Sequence, residues 1–369
     1  MKRLTIQSLF PKSMAFSQGA TDYLYFYDLK QMEDKYPVCF RQIDPLGFRQ
    51  KQLASRAFFA GIRRIPGLRS LSTSWRHAIT RPIHVSKSEL DNVDVLYSNY
   101  WFPRNKPQIP FVLEADFVPY GSTKNDQAQM RRILQIPDRM IAMCDAVIVR
   151  TATSADHFHQ LYPWSKARVE TIRHYMPYIT ATSVGSIPAR WDTNDPLRVL
   201  FVANMPRLKN LPRLIQAMEL LRAGMGESRP CLEVISNFLD GDMSLPPWVD
   251  VKRNVDRKGV ADRMRASHIM ALPTLRDSFG KVFCEAMAAG CVLLAPNWYP
   301  LGEDDYFGTC GQCVDVFSVK SIADGLRRLI VDRQASQTIA VRNRKLFDKL
   351  YDADIVSRQY CGLFQELCR

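Results

Sequence analysis

The sequence predicts an α/β protein with two domains, each built on a parallel sheet. The chain has 369 residues, which is more than a single hydrophobic core usually accommodates. Short apolar runs alternate with longer stretches of helical periodicity, the pattern of strands joined by helical crossovers. Polar loops follow several of these apolar runs. Because ligands of parallel sheets bind at the carboxyl ends of the strands, we expect the functional residues in those loops.

The first half begins with candidate strands at Leu4–Leu9, Tyr23–Tyr27 and Val38–Phe40, whose order in the sheet the sequence leaves open. Regular alternation starts at Asp94. Strands are predicted at 94–98, 111–115, 146–149 and 169–172, with helices at 126–144 (broken or kinked at Pro137) and 154–161.

The segment from Gly47 to Pro82 contains eight arginines and lysines and no aspartate or glutamate, with aromatic and aliphatic residues between them. The net charge of the chain is +13, which indicates an anionic partner. The segment is interpreted either as a solvated helix pair or as a contact with an anionic membrane surface. Nucleic acid is the least favoured of the partners considered.

No apolar run is long enough to span a bilayer, and the amino-terminal residues do not form a signal peptide. The nine cysteines are scattered, which favours reduced thiols in a cytoplasmic protein. We therefore expect a cytoplasmic location, with membrane association as the open alternative.

Loop composition between Met176 and Pro196 marks a connection between the domains. The second domain then opens with a strand at 197–202, a polar loop at 203–210 and a helix for which Asn210 is the predicted N-cap. Further strands are predicted at 232–235 and 249–251, and helices at 319–331, 337–350 and 354–367.

The most informative stretch runs from Pro273 to Gly290. An apolar strand, 268–272, leads into a polar loop, and helical periodicity begins at Gly280 and stops at Gly290, which suits a left-handed cap. A helix start directly after a strand presents unpaired amides and a positive dipole end to an anion such as phosphate. Asp277 and Glu285 bracket this position and are suited to holding sugar hydroxyls.

This stretch resembles the hallmark of the retaining glycosyltransferases of family four, also known as glycosyl transferases group 1, which have the GT-B fold. The hallmark is an acidic residue, then Gly-Phe-Gly, then a Glu eight residues after the first acid. Here Asp277 replaces the usual Glu and Ser278 replaces the first Gly. The resemblance implies two Rossmann-like domains with parallel sheets facing each other across a cleft. It also implies that Asp277 contacts the donor sugar, that Glu285 holds the nucleotide ribose, and that the donor diphosphate lies near Phe279, Gly280, Lys281 and Val282.

The same resemblance assigns roles in the loop after the first strand of the second domain. The family commonly has an Arg there and a Lys five residues later, both on the donor phosphates. Lys209 matches the Lys, whereas Asn204 stands at the Arg position and Arg207 is a candidate substitute. Asn254 is placed near the nucleotide base.

In the first domain, the resembling family usually has a His after the strand at 111–115. Asp116 stands at about that position, and we interpret it either as a residue of the reaction centre or as an acid that caps the turn beginning at Pro119. A carboxylate accepts a hydrogen bond from a sugar hydroxyl but does not titrate near neutral pH as His does.

The resemblance implies a metal-independent, retaining transfer of a hexose from a nucleotide sugar (UDP- or GDP-linked) to a hydroxyl of a saccharide or lipid-linked acceptor, in polysaccharide or glycolipid assembly. No cofactor and no metal are expected. The expected domains are an acceptor-binding domain, 1–185, a linker, 186–196, a donor-binding domain, 197–352, and a helix, 353–369, that packs back on the first domain. The alternatives are a non-catalytic nucleotide-sugar or partner-binding protein, and a sugar-nucleotide epimerase of the same fold.

Overall fold

The computed structural model describes residues 3–9, 28–42, 82–99, 101–115, 117, 136, 138–193, 195–225, 229–239, 245–275, 277, 279–297 and 310–369. The chain divides into two compact units. The first comprises 1–118, 125–177 and 353–369, and the second comprises 119–124 and 178–352. Each unit holds one six-stranded parallel sheet, which confirms the predicted α/β class. The segments 47–81 and 23–27 and most of the predicted helix at 126–144 lie outside the described residues.

The first sheet settles the strand order that the sequence left open. Its strands and those of a small two-stranded sheet are β1 (Leu4–Ser8), β2 (Val38–Gln42), β3 (Pro82–Ile83), β4 (Val95–Asn99), β5 (Phe102–Pro103), β6 (Phe111–Glu114), β7 (Ala146–Val149) and β8 (Arg168–Thr171). The large sheet has the order β2-β1-β4-β6-β7-β8, and β3 pairs with β5. Helices α1 (Asp138–Met143) and α2 (Ala152–Leu161) lie between these strands in the chain.

Successive side chains of the strands in the first sheet pack alternately into two separate hydrophobic cores. Leu96 and Leu113 point to the face that also buries Phe158 of α2. Their neighbours Val95 and Val112 point to the opposite face. Because successive side chains of a strand leave on opposite faces, a run that is apolar throughout is buried on both sides.

The second sheet has the strands β9 (Arg198–Val202), β10 (Cys231–Ile235), β11 (Val249–Lys252), β12 (Ile269–Ala271), β13 (Val292–Pro296) and β14 (Gly311–Val314). Their order is β11-β10-β9-β12-β13-β14, the doubly wound arrangement in which the strand order reverses between the first and fourth strands. The helices of this unit are α3 (Ile187–Trp191), α4 (Leu211–Ala223), α5 (Arg257–Ala266), α6 (Lys281–Ala288), α7 (Val319–Val331) and α8 (Arg333–Tyr351).

Helix α3 lies within the segment 186–196 and ties together two helix ends of the second unit. The Arg190 guanidinium donates to the carbonyl oxygens of Arg265 (2.7 Å) and Ala289 (3.0 Å), and also to that of Gly290. Gly290 has φ 72°, the left-handed cap that the sequence predicted. A Cβ at this glycine would lie 2.6 Å from the Cδ1 atom of Ile187, so a larger residue would also have to displace the Ile187 side chain of α3. The predicted domain boundaries stay a prediction.

The last helix, α9 (Ala353–Leu367), packs in the first unit. Its Phe364 ring lies edge-on to Phe40 and Tyr97, with ring centroids 6.4 Å apart in both cases. The Tyr360 hydroxyl donates to Glu114 Oε2 at 2.6 Å. These contacts connect the end of the chain to β2, β4 and β6 of the first sheet. Among the described helices, none is sufficiently long and apolar to cross a membrane.

Candidate functional site

The candidate site lies at the point where the strand order of the second sheet reverses, between β9 and β12. The loops 203–210 and 272–280 leave the carboxyl ends of these neighbouring strands. The amide of Leu275 in one loop donates to the carbonyl oxygen of Leu208 in the other at 3.0 Å. A crevice at this position is the usual ligand site of doubly wound sheets.

Lys209 and Asp277, predicted from separate motifs, meet at this point. The distance between Lys209 Nζ and Asp277 Oδ2 is 2.6 Å, and the two side chains are 14% and 15% exposed. A short charge-assisted hydrogen bond of this kind holds both groups in place. An ammonium group has three donors, so Lys209 has the capacity to bond the carboxylate and a phosphate together.

The helix start that the sequence predicted begins at Lys281, with Gly280 as its N-cap residue at φ 77° and ψ 56°. This left-handed conformation favours glycine. Lys281 and Val282 form the first turn of α6, where backbone amides point out from the helix end. The side chain of Phe279 is buried, and its ring centroid lies 6.4 Å from that of Tyr351. Phe279 is therefore a packing residue that sets the position of the loop.

Glu285 lies in the middle of α6 and borders a cavity of about 350 Å³. The Tyr178 hydroxyl donates to Glu285 Oε1 at 2.7 Å. The Arg257 guanidinium carbon lies 3.9 Å from the centroid of the Tyr178 ring. Tyr178 and Arg257 were not among the predicted site residues, since neither belongs to a recognisable motif, and Tyr178 precedes Glu285 by 107 residues.

The two asparagines predicted near the donor are linked through a third one. Asn204 Oδ1 accepts from the amide of Asn237 at 3.4 Å, and Asn237 Oδ1 accepts from the amide of Asn254 at 2.7 Å. This chain joins the carboxyl ends of β9, β10 and β11. Asn254 has φ 53°, a conformation that asparagine tolerates better than most residues. Arg207 lies in the same loop as Asn204 and is exposed.

Asn210 occupies the predicted N-cap position of α4, but its side chain does not cap the helix. Its Nδ2 atom donates to the carbonyl oxygen of Val316 at 2.7 Å, and its Oδ1 atom accepts from Arg213 at 3.1 Å. The backbone is left-handed at φ 67°. The predicted capping role is therefore wrong, because this buried amide instead connects the loop of Lys209 to the start of α7.

Asp116 of the first unit lies outside the described residues, and Phe117, which follows it in the chain, is held by helix α2. Phe117 donates its amide to Ser154 Oγ at 2.8 Å, and its carbonyl oxygen lies 3.0 Å from His157 Nδ1. Glu114 is paired with Arg150 in the interior, each side chain 2% exposed. Among the described residues there is no group of three or more His, Cys, Asp or Glu side chains that would suit a metal ion.

These features define the class of fold: the chain has the GT-B architecture. Sucrose-phosphate synthase from Thermosynechococcus elongatus superposes with a TM-score of 0.66 over 99% of both chains at 15% identity. The structure of Anabaena Alr3699/HepE in complex with UDP gives a TM-score of 0.63 over 99% of this chain and 100% of that one, at 16% identity. Likeness at this level of identity establishes the fold.

The sequence of the second unit matches a known family. Residues 196–332 match the family model described as Glycosyl transferases group 1, which confirms the resemblance stated above. D-inositol 3-phosphate glycosyltransferase of Xylanimonas cellulosilytica is 24% identical over 270 residues, which are 65% of this chain and 64% of that relative. The enzyme of the same name from Saccharomonospora viridis is 25% identical over 271 residues, covering 64% and 62%. These matches span less than two thirds of either relative.

Proposed function

We propose that the chain is a retaining glycosyltransferase that moves a hexose from a nucleotide sugar to an acceptor hydroxyl. The observation that carries the proposal is the pairing of Lys209 with Asp277 at the switch point of the second sheet, at 2.6 Å. The anion-binding helix start at Lys281 and the carboxylate of Glu285 follow directly in the chain.

In this proposal the donor diphosphate binds to the Lys209 ammonium and to the amides of Lys281 and Val282. A fixed positive charge and a helix amino terminus stabilise the negative charge that develops on the departing nucleoside diphosphate. Asp277 holds hydroxyls of the transferred sugar, and Glu285 holds the ribose. Arg207, Asn204 and Asn254 flank the donor, and Asp116 completes the reaction centre.

The proposed site offsets the diphosphate charge with the protein's own groups, so we expect transfer to be independent of a divalent metal. The check is a transfer assay after treatment with EDTA, followed by repletion with magnesium or manganese. Activity that disappears with EDTA and returns with the metal would contradict this part of the proposal.

The proposed acceptor is anionic, either a phosphorylated or acidic saccharide or a lipid-linked one in polysaccharide or glycolipid assembly. The net charge of +13 supports this choice, as do the names of the relatives, which contain a phosphorylated polyol, D-inositol 3-phosphate. The basic segment 47–82 is the proposed contact with an anionic membrane surface. Co-sedimentation with vesicles of phosphatidylcholine, with and without phosphatidylserine, tests this contact, and absence of binding at low salt rejects it.

The site is tested by a transfer assay on Lys209→Ala and Glu285→Ala. Each removes a charged contact worth roughly 1.5–3 kcal/mol, so we expect transfer to fall by about tenfold or more. Lys320→Ala and Glu219→Ala serve as matched controls, because both side chains are exposed on helices of the same unit. Wild-type activity in both site variants would refute the proposed site.

The alternative is a protein of the same fold that binds a nucleotide sugar without transferring it. Asn204 supports this alternative: a neutral amide bonded to the Asn237 backbone stands where the resembling family has a cation. Incubation with several nucleotide sugars and acceptors separates the cases. Binding with neither release of nucleoside diphosphate nor change of the sugar favours the non-catalytic protein, and conversion of the nucleotide sugar to its epimer without an acceptor favours an epimerase.

A further inference from the structure

The side chain of Tyr178 contacts the carboxylate of Glu285. Its hydroxyl donates to Glu285 Oε1 at 2.7 Å, and its ring lies under the Arg257 guanidinium at 3.9 Å. All three residues border the same cavity of about 350 Å³. A hydrogen bond to an ionised acceptor is about twice as strong as one between neutral groups, so this contact orients the carboxylate.

The backbone after Tyr178 is held firmly on the second unit. The Thr180 carbonyl oxygen accepts from Arg265 Nη1 at 3.3 Å. The Thr182 amide donates to the carbonyl oxygen of Ala288 at 2.9 Å, and the Thr182 carbonyl oxygen accepts from Arg344 Nε at 2.6 Å. These bonds lay the segment 178–182 along α5 and α6. The phenol therefore reaches Glu285 from a fixed point.

We propose that Tyr178 is a positioning residue that holds Glu285 in the orientation required to bind the ribose of the nucleotide donor, and that Arg257 holds the Tyr178 ring. This inference rests on the proposed function, in which Glu285 binds the ribose. An ionised carboxylate has about four acceptor positions. The bond from Tyr178 selects which of them face the ligand, and recognition of the 2′-hydroxyl depends on that selection.

The experiment measures the binding of UDP, GDP and ADP and of their 2′-deoxy counterparts by calorimetry. The readout is the dissociation constant of the 2′-deoxy nucleotide divided by that of the ribose nucleotide, for the base that binds most tightly. For the wild type we expect a preference for the ribose form. Tyr178→Phe retains the ring and its cation–π contact but lacks the hydroxyl, so we expect this preference to fall by about three- to tenfold, as for the loss of one hydrogen bond. Glu285→Gln sets the lower limit of the preference.

Two further variants sharpen the test. Arg257→Ala removes the cation over the ring and is expected to lower the preference by about two- to fivefold, because cation–π contacts at exposed positions are weak. Tyr36→Phe is the matched control: it removes a tyrosine hydroxyl that donates to a backbone carbonyl at 3.1 Å in the first unit. We expect it to leave the ribose preference unchanged.

The outcomes separate this inference from the proposed function. A wild type that binds none of the nucleotides overturns both. A wild type that binds nucleotides but shows no ribose preference overturns the role of Glu285 and with it this inference. A full preference retained in Tyr178→Phe overturns the positioning role alone. Tighter nucleotide binding by Tyr178→Phe would mean that the phenol competes with the ribose for Glu285. This result would also overturn the positioning role.

Discussion

The two sheets each carry an ion pair at the carboxyl ends of neighbouring strands, and the pairs differ in their access to solvent. Glu114, the last residue of β6, and Arg150, which follows β7, are each 2% exposed. Lys209 and Asp277, after β9 and β12, are 14% and 15% exposed. The same position in a parallel sheet therefore serves structure in one unit and is available to a ligand in the other.

Tyrosine hydroxyls supply hydrogen bonds to the pair of Glu114 and Arg150, which is closed to solvent. Glu114 Oε2 accepts from the hydroxyls of Tyr97 and Tyr360, both at 2.6 Å. Arg150 Nη1 donates to the Tyr360 hydroxyl at 2.8 Å and to the carbonyl oxygen of Ile172 at 2.9 Å. A buried charge pair persists only where such additional hydrogen bonds satisfy it. The network anchors α9 in the first unit, so its residues are occupied and not available to substrate.

The largest expected effect on stability comes from breaking the buried pair of Glu114 and Arg150. Arg150→Met leaves the Glu114 carboxylate buried without its cation, and we expect the free energy of unfolding to fall by about 3–5 kcal/mol. Urea unfolding measures this change. Arg168→Met is the matched control: this exposed arginine of the same unit pairs with Glu170 and with Glu366 of α9, and surface pairs contribute about 0–1 kcal/mol. Equal losses in the two variants would contradict the structural role of the buried pair.

A second effect arises from a buried neutral histidine in the second unit. His268 Nδ1 accepts from the amide of Arg198 at 3.0 Å, and Nε2 lies 2.9 Å from the carbonyl oxygen of Arg190. Burial lowers the His268 pKa from 6.5 to about 4. Between these values the unfolded chain binds more protons than the folded chain, so stability falls as the pH falls from 6.5 to 4.

This shift corresponds to about 3 kcal/mol of the wild-type free energy of unfolding, lost across that pH range. His268→Gln does not titrate there, so we expect its acid-induced loss to be smaller by this amount. Urea unfolding at a series of pH values measures the difference. The exposed His159, replaced by Gln, is the control. A pH dependence of His268→Gln identical to that of the wild type would exclude His268 as the source.

The smallest effect on stability, and a large one on activity, is expected at the accessible pair. Lys209→Asp combined with Asp277→Lys retains two opposite charges at this place. We expect the free energy of unfolding to change by less than about 1 kcal/mol, whereas transfer falls by about tenfold or more, because the cation no longer faces the proposed diphosphate site. Higher activity in the double variant than in Lys209→Asp alone would indicate that transfer requires two opposite charges at this place, whichever position holds the cation.

Local signals in the sequence were sufficient for the central part of the site. The strand, loop and helix start around Gly280 follow from periodicity and from glycine at positions that require positive φ. Lys209, Asp277 and Glu285 were predicted because each lies at a motif position, the first two in loops that follow strands and the third in the helix after such a loop. Their contribution to a ligand contact stays a prediction, as does that of Asp116.

Contacts between distant segments were not predictable from those signals. Tyr178 lies in a stretch of loop composition, and nothing local indicates that its hydroxyl reaches Glu285. Asn210 has the residue type of a cap, yet packing against Val316 takes its amide elsewhere. Glu114 lies within the predicted strand 111–115, and its burial involves a hydrogen bond from a tyrosine 246 residues later in the chain.

The amino-acid sequence alone determined the α/β class, the positions of most strands and helices in the regions the structure describes, and the family motif with its acidic and basic residues. These features depend on residues within a few positions of one another, where periodicity and turn chemistry act. The tertiary structure decided the strand order of the first sheet, the pairing of Lys209 with Asp277, and the burial of the Glu114 carboxylate at the end of its strand. Those outcomes depend on burial and on partners far away in the chain, which no local pattern encodes.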